Sequence, residues 1–391
     1  MELGGQSWPL FHVQLICRMK GFALLLAASG CLCLLVTGVS STGYSSELGM
    51  LTSTGSNHFG TSVAFESTSF VVVGQPGSNQ VRVLDCSTSC TLKYNFTGSD
   101  SVSGDQFGAS VAVSGTFVAV GAPGKAGGGK VYFFNTTTSS STPLASATSA
   151  AAGNFGSSVS LLGTTIVAGS PNGSPAGAVT LLDCSSLISC TAYNVLPSTA
   201  LTAGDNFGFS VSIASISFVA VGASGNNGTV YLFDCTSFTC TQGAALASDG
   251  NSTFGFSVAA SGTSVLVGAP GSSIVAAYFY DCSSSSSCPN PVELSPSGVT
   301  AAGQYGTSVS LDGSTAAVGS TNRVDVFYCS GSSCGVITSN ITSNITGLNA
   351  FGSSVAVVQP DLLLVGAPNQ ASLAGAIFLY GNISTPHPPV E

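Results

Sequence analysis

Charge is what this sequence has least of. Asp, Glu, Lys and Arg make up 6% of its 391 residues, against about 25% in an average globular chain. The seven Lys and Arg residues are too few for a nucleic-acid-binding surface. Of three His, His12 lies near the start, which leaves little for a His-based metal or acid–base site. Trp occurs once, at Trp8. Beyond residues 22–39 no apolar run reaches the length of a membrane span. What the chain does have is 44% hydrophobic residues, 49 Gly and many Ser and Thr. Such a chain has ample material for a core and does not read as disordered.

Phe22 to Val39 is an uncharged apolar run, preceded by Arg18 and Lys20 and followed by small residues at Ser40 and Ser41. A basic start, an apolar stretch and a small-residue exit describe a secretory signal. Left uncleaved, the run is long enough to anchor the chain in a membrane. The expected organisation is a leader and signal peptide over 1–40, one domain over 41–382 and a Pro-rich tail over 383–391. The chain beyond the leader carries 15 acidic and 5 basic residues, a net charge of −10.

Three of 13 Cys lie in the leader. The other ten form five close pairs: Cys86 with Cys90, Cys184 with Cys190, Cys235 with Cys240, Cys282 with Cys288, and Cys329 with Cys334. An even number of cysteines in a secreted chain reads as disulfides. The intervals vary and no His accompanies them, which argues against a metal site. Eight Asn-x-Ser/Thr sequons, at Asn95, Asn135, Asn172, Asn227, Asn251, Asn340, Asn344 and Asn382, point to a surface-exposed glycoprotein.

One phrase returns seven times, beginning at Phe59-Gly60, Phe107-Gly108, Phe155-Gly156, Phe207-Gly208, Phe254-Gly255, Tyr305-Gly306 and Phe351-Gly352. The intervals run from 46 to 52 residues. A Ser-Val step follows each time, and Gly-Ala-Pro or a variant comes about 14 residues later, as at Gly121-Ala122-Pro123. Runs such as Phe70-Val71-Val72-Val73 and Val131-Tyr132-Phe133-Phe134 read as strands buried on both faces. Turn pairs such as Ser114-Gly115 and Ser261-Gly262 join the first two strands of each unit. A weaker fourth strand is expected after each Cys pair.

Four short strands per repeat of this length predict an all-β fold, a seven-bladed β-propeller of four-stranded blades. The last unit has no room for its own fourth strand. Tyr44 to Leu51 has the spacing of one, so the N-terminal segment is expected to complete blade seven. The repeated Phe reads as a plug between blades. Asp85, Asp183, Asp234 and Asp281, each before a Cys, read as Asx turns at the hairpins.

The phrase resembles the FG-GAP repeat, the unit of the integrin α-subunit propeller, over about residues 44–381. The resemblance implies extracellular recognition or adhesion and no catalysis. Several integrin blades carry an acidic calcium loop between their first two strands. Here those loops are short and nearly uncharged, as at Leu162-Gly163-Thr164. Calcium wants six or more oxygen ligands, so no metal and no cofactor are expected.

The Phe-Gly and Gly-Ala-Pro loops are expected on one face and the disulfide hairpins on the other. Sequons at Asn172, Asn227 and Asn251 would cover the first face over blades three to five and leave blades six, seven, one and two bare. Lys125, Lys130 and Arg323 fall in its loops and are candidate contacts to an acidic group of an extracellular protein or glycan. His58, Asp105 and Asp205 flank Phe-Gly positions but form no recognisable catalytic set, so no enzyme is expected. The rival reading is a structural cell-surface or wall glycoprotein without a discrete ligand.

Overall fold

The computed structural model describes residues 46–381 and two short strands, Ala27–Ala28 and Cys31–Leu32. Within that range it leaves out 54–56, 139, 152, 197–200, 227, 237–238, 248–252, 272–275, 299–303, 344–347, 359–360 and 371–374. The rest of the expected leader and the expected tail lie outside the described residues. Among the described residues no helix is long and apolar enough to cross a membrane.

The chain folds into seven antiparallel blades of four strands. Blade one is Val63–Ser67, Phe70–Gln75, Gln80–Asp85 and Thr91–Phe96. Blades two to six begin at Ser110, Val159, Phe207, Ser257 and Ser308, each with its strands side by side in chain order. In blade seven, Ser354–Val358, Leu362–Ala367 and Ala376–Gly381 are followed by Ser46–Ser53, which pairs antiparallel with Ala376–Gly381. This pairing runs to Thr52, one residue beyond the expected Tyr44–Leu51. Met50 joins the core between blades six and seven, and Leu51 the core between blades seven and one. Cys31–Leu32 lies along the outer side of Ser46–Ser53.

The first strands are innermost. Each packs against the first strand of the next blade, and Ser354–Val358 packs against Val63–Ser67. The core is divided into seven apolar clusters, one per junction between blades. Each is centred on the aromatic ring of a Phe-Gly step: Phe107 sits among Val72, Val81 and Phe96 of blade one and Val118, Val120 and Phe134 of blade two. All seven rings are at most 1% exposed, so the repeated aromatic is indeed the plug between blades.

A polar clamp accompanies each plug. The Ser of the Ser-Val step donates through Oγ to the carbonyl of the next blade's Phe-Gly glycine. Ser62 reaches Gly108, Ser110 reaches Gly156, Ser158 reaches Gly208, Ser210 reaches Gly255, Ser257 reaches Gly306 and Ser308 reaches Gly352. Ser354 of blade seven reaches Gly60 of blade one at 2.8 Å, so the clamp runs all the way round.

The Gly-Ala-Pro glycine lies under the same carbonyl, and a β-carbon on Gly121 would collide with the Gly156 oxygen. The phrase is therefore one device. An aromatic fills the junction, a hydroxyl donates across it, a carbonyl accepts, and a bare glycine lets it close.

A second set of serines covers the inner sheet edges. Ser160, Ser212 and Ser310 accept through Oγ from the backbone N–H groups of Ile213, Ala260 and Val357 in the following blades. First-strand edges would otherwise present unpaired donors to the axis.

Candidate functional site

Because neighbouring strands are antiparallel and in chain order, the connections alternate between two faces. The hairpin face carries the turns between first and second strands and those between third and fourth. All five expected disulfides form there. Cys86 bonds to Cys90 in blade one, Cys184 to Cys190 in blade three and Cys235 to Cys240 in blade four. Cys282 bonds to Cys288 in blade five, and Cys329 to Cys334 in blade six. In blades three to six the first cysteine of each pair is buried. Of the second cysteines only Cys240 is buried, while Cys90, Cys190, Cys288 and Cys334 are half-buried at the rim.

Asp85, Asp183 and Asp234 each accept through Oδ1 from the backbone N–H two residues on, as Asx turns. Asp281 instead takes the Ser264 hydroxyl. Blade two has no disulfide. Asn135 takes the Asp position there and accepts from the Thr137 N–H and hydroxyl.

The opposite face carries the Phe-Gly loops and the connections between second and third strands. Those connections differ in length, from 76–79 in blade one to 368–375 in blade seven. Lys125 and Lys130 converge here on Asp100. Lys125 Nζ is 2.9 Å from Asp105 Oδ2 and 3.6 Å from Asp100 Oδ2, and also donates to the Asp100 carbonyl. Lys130 Nζ lies 3.0 Å from Asp100 Oδ2 and sits over the Tyr132 ring. The Tyr132 hydroxyl donates to Asp100 Oδ1 at 2.6 Å.

That hydrogen bond leads the effects that lower the Asp100 carboxyl to about 2; burial opposes it, and both lysines assist. Burial, then Asp100, pushes the Tyr132 phenol far up. The Asp105 hydrogen bond, foremost, raises Lys125.

Arg323 stands apart in blade six. Its guanidinium holds Asp325 through Nε and Nη2, at 2.7–3.0 Å, and donates to the Ser297 carbonyl. Asp325 is fully buried at a third-strand position beside Tyr305, where blades two, four, five and seven place an aromatic against the Phe-Gly ring, as with Tyr132 on Phe107. Burial, then Asp325, pushes the Tyr305 phenol well above the usual tyrosine range. The structure therefore brings Lys125 and Lys130 together, leaves Arg323 elsewhere, and engages all three with aspartates of their own chain.

His58, Asp105 and Asp205 likewise stand in separate blades, and Asp205 is held by Thr202 and Asn226. Among the described residues no three His, Cys, Asp or Glu gather as metal ligands.

Of the sequons, Asn135, on the hairpin face, is half-buried, while Asn172 and Asn340 are exposed. Asn95 is half-buried with its side-chain oxygen enclosed and unpaired. Asn227, Asn251, Asn344 and Asn382 lie outside the described residues.

The repeat also sets a ring round the axis that the sequence reading overlooked. The residue before each motif aromatic is left-handed in six blades: His58 (φ 56°), Gln106 (58°), Asn154 (65°), Asn206 (56°), Gln304 (49°) and Ala350 (73°). The residue two after the aromatic lies one or two residues ahead of the first strand, and in blade four within it. It is small in five blades: Thr61, Ala109, Ser157, Thr307 and Ser353. In blades four and five it is Phe209 and Phe256, whose rings lie 4.8 Å apart. Aligning the seven phrases and looking for positions that break the pattern would have found this pair.

The model of the family described as FG-GAP repeat matches residues 91–134. That span takes in the fourth strand of blade one and the first three of blade two, and the phrase inside it recurs in the other six blades. Residues 91–134 match an FG-GAP repeat, set within a seven-bladed propeller. A solved structure of U3-55K resembles this propeller with a TM-score of 0.56, covering 82% of this chain and 94% of that one. At 11% identity the likeness concerns fold alone. No curated protein matches the chain in sequence.

Proposed function

We propose that this propeller is an extracellular recognition or adhesion module that binds a protein or glycan through its Phe-Gly face. The observation that carries this reading is the difference between the two faces. One is stapled by five disulfides across short hairpins. The other presents connections of varied length and composition on a ring fixed by seven identical clamps. Rigid scaffolds with variable loops are how binding surfaces are commonly built. The disulfides suit an oxidising compartment outside the cytosol, in keeping with the leader.

The role we assign is binding and not catalysis. Asp105 and Asp205 already hold partners in separate blades, and neither is free to join an acid–base set among the described residues.

The test is ligand capture. Residues 41–391 are secreted and passed over extracellular-matrix, wall-polysaccharide and protein fractions, with calcium and with chelator. Saturable binding that survives chelation is the expected result. Loss on chelation would restore a metal to the site. An absence of binding to every fraction would favour a structural glycoprotein.

A further inference from the structure

Among the aromatic side chains outside the core, two meet each other. Phe209 and Phe256 are half-buried and join none of the seven inter-blade clusters. Their rings meet each other, 4.8 Å apart and tilted by 47°. In the other five blades the equivalent position is Ala, Ser or Thr, so the fold does not require an aromatic there. The first strands are innermost, which puts the pair beside the axis on the Phe-Gly face.

The surroundings have a definite chemistry. The left-handed residues Asn154, Asn206 and Gln304, with Thr253 of blade five, belong to the same mouth and are exposed or half-buried. Amide and hydroxyl side chains donate and accept hydrogen bonds without carrying charge. The nearest motif acid, Asp205, is occupied by Thr202 and Asn226. An uncharged rim around paired aromatic faces suits a ligand with apolar faces and hydroxyl edges. Asn154, Asn206, Thr253 and Gln304 offer no cation to an acidic group, and the carboxylate beside them, Asp205, is already engaged.

We propose that Phe209 and Phe256, with Asn206 at their side, form a subsite for a neutral saccharide, one of whose sugar rings stacks on the aromatic pair. The proposal rests on the recognition reading and names its ligand class. It moves the site from the sector of Lys125, Lys130 and Arg323 to the axial side of blades four and five.

The experiment uses secreted residues 41–391 on an array of neutral oligosaccharides (β-glucan, mannan and galactan fragments), acidic oligosaccharides and basic peptides. Three proteins are compared: the parent, F209A/F256S and N206G. The double variant installs residue types that Ala109 and Ser157 already show at this position. N206G removes the amide and keeps a residue that tolerates positive φ.

The parent should retain neutral saccharides, the double variant should lose at least tenfold in affinity, and N206G severalfold. Thermal midpoints should stay together. If the double variant proves unstable, N206G and competition by the free sugar decide. Neutral-saccharide binding that the variants leave intact overturns the proposal. So does retention of acidic saccharides or basic peptides alone; in both cases the recognition reading stands. A parent that captures nothing here or from matrix, wall and protein fractions overturns both.

Discussion

The Ser354 hydroxyl donates to the Gly60 carbonyl at 2.8 Å, across 294 residues of chain. It is the same bond that Ser110 makes to Gly156 over 46 residues. The local geometry repeats although the chain connection does not. S354A and S110A should therefore destabilise alike, each by about 1 kcal/mol, the usual net worth of a hydrogen bond. Equilibrium denaturation of the two variants checks this. A much larger loss for S354A would mean that the junction between blades seven and one is held differently.

The Gly-Ala-Pro glycine predicts a sharper contrast. A β-carbon on Gly121 would run into the Gly156 carbonyl, whereas one on Gly115, at φ 57°, would meet nothing within 4 Å. G121A should cost about 3 kcal/mol through overpacking. G115A should cost about 1 kcal/mol from the left-handed backbone alone. Thermal unfolding of both variants is the measurement, and equal costs would count against the packing argument.

Asp100 should make stability depend on acid. Its carboxyl is lowered from 3.8 to about 2, chiefly by the Tyr132 hydroxyl. A depressed carboxyl contributes stability above its unfolded value and loses it as pH falls through the folded one. The contribution is therefore complete above about pH 4 and disappears towards pH 2. Its side chain is 47% exposed, so solvent screens the effect and it is small. D100N should flatten the stability profile between those pH values and leave the neutral-to-alkaline arm unchanged in shape. Acid titration of unfolding midpoints for parent and variant tests it.

We propose that Ser46–Ser53 fastens the ring by completing blade seven. Leu51 is 1% exposed and Met50 9%. Removing the strand and exposing its neighbours should cost about 4 kcal/mol, from burial of two apolar side chains. A chain starting at residue 57 should unfold earlier than one starting at 41. Moving Ser46–Ser53 to follow Gly381 through a short turn should restore stability, because other blades receive their fourth strand from that side. Failure of the transfer to restore it would argue against the fastening role.

Much of this architecture was already legible in the chain. A phrase spaced 46 to 52 residues apart carries the blade count. Continuous β-branched runs mark the strands. The cysteine pairs mark the hairpins, and Asp85, Asp183 and Asp234 mark the turns that lead into them. These features were readable because they are local: a strand, a tight turn or a short disulfide involves residues close together in sequence.

The partners of the charged groups were not legible. Lys125, Lys130 and Arg323 looked available in the sequence, and the fold gives each an aspartate. Asp100 reaches both lysines only because blade two brings its loop back over the segment from blade one. Nor did the sequence reveal why Ser follows Phe-Gly, since its acceptor lies a whole blade away.

The sequence by itself determined the repeat, the strands and the stapled hairpins, through hydrophobic period and turn chemistry acting over a few residues. Only the tertiary structure decided which carbonyl each serine meets and which charges cancel. It also decided that Phe209 and Phe256 stand side by side, because these relations exist only once neighbouring blades are brought together around one axis.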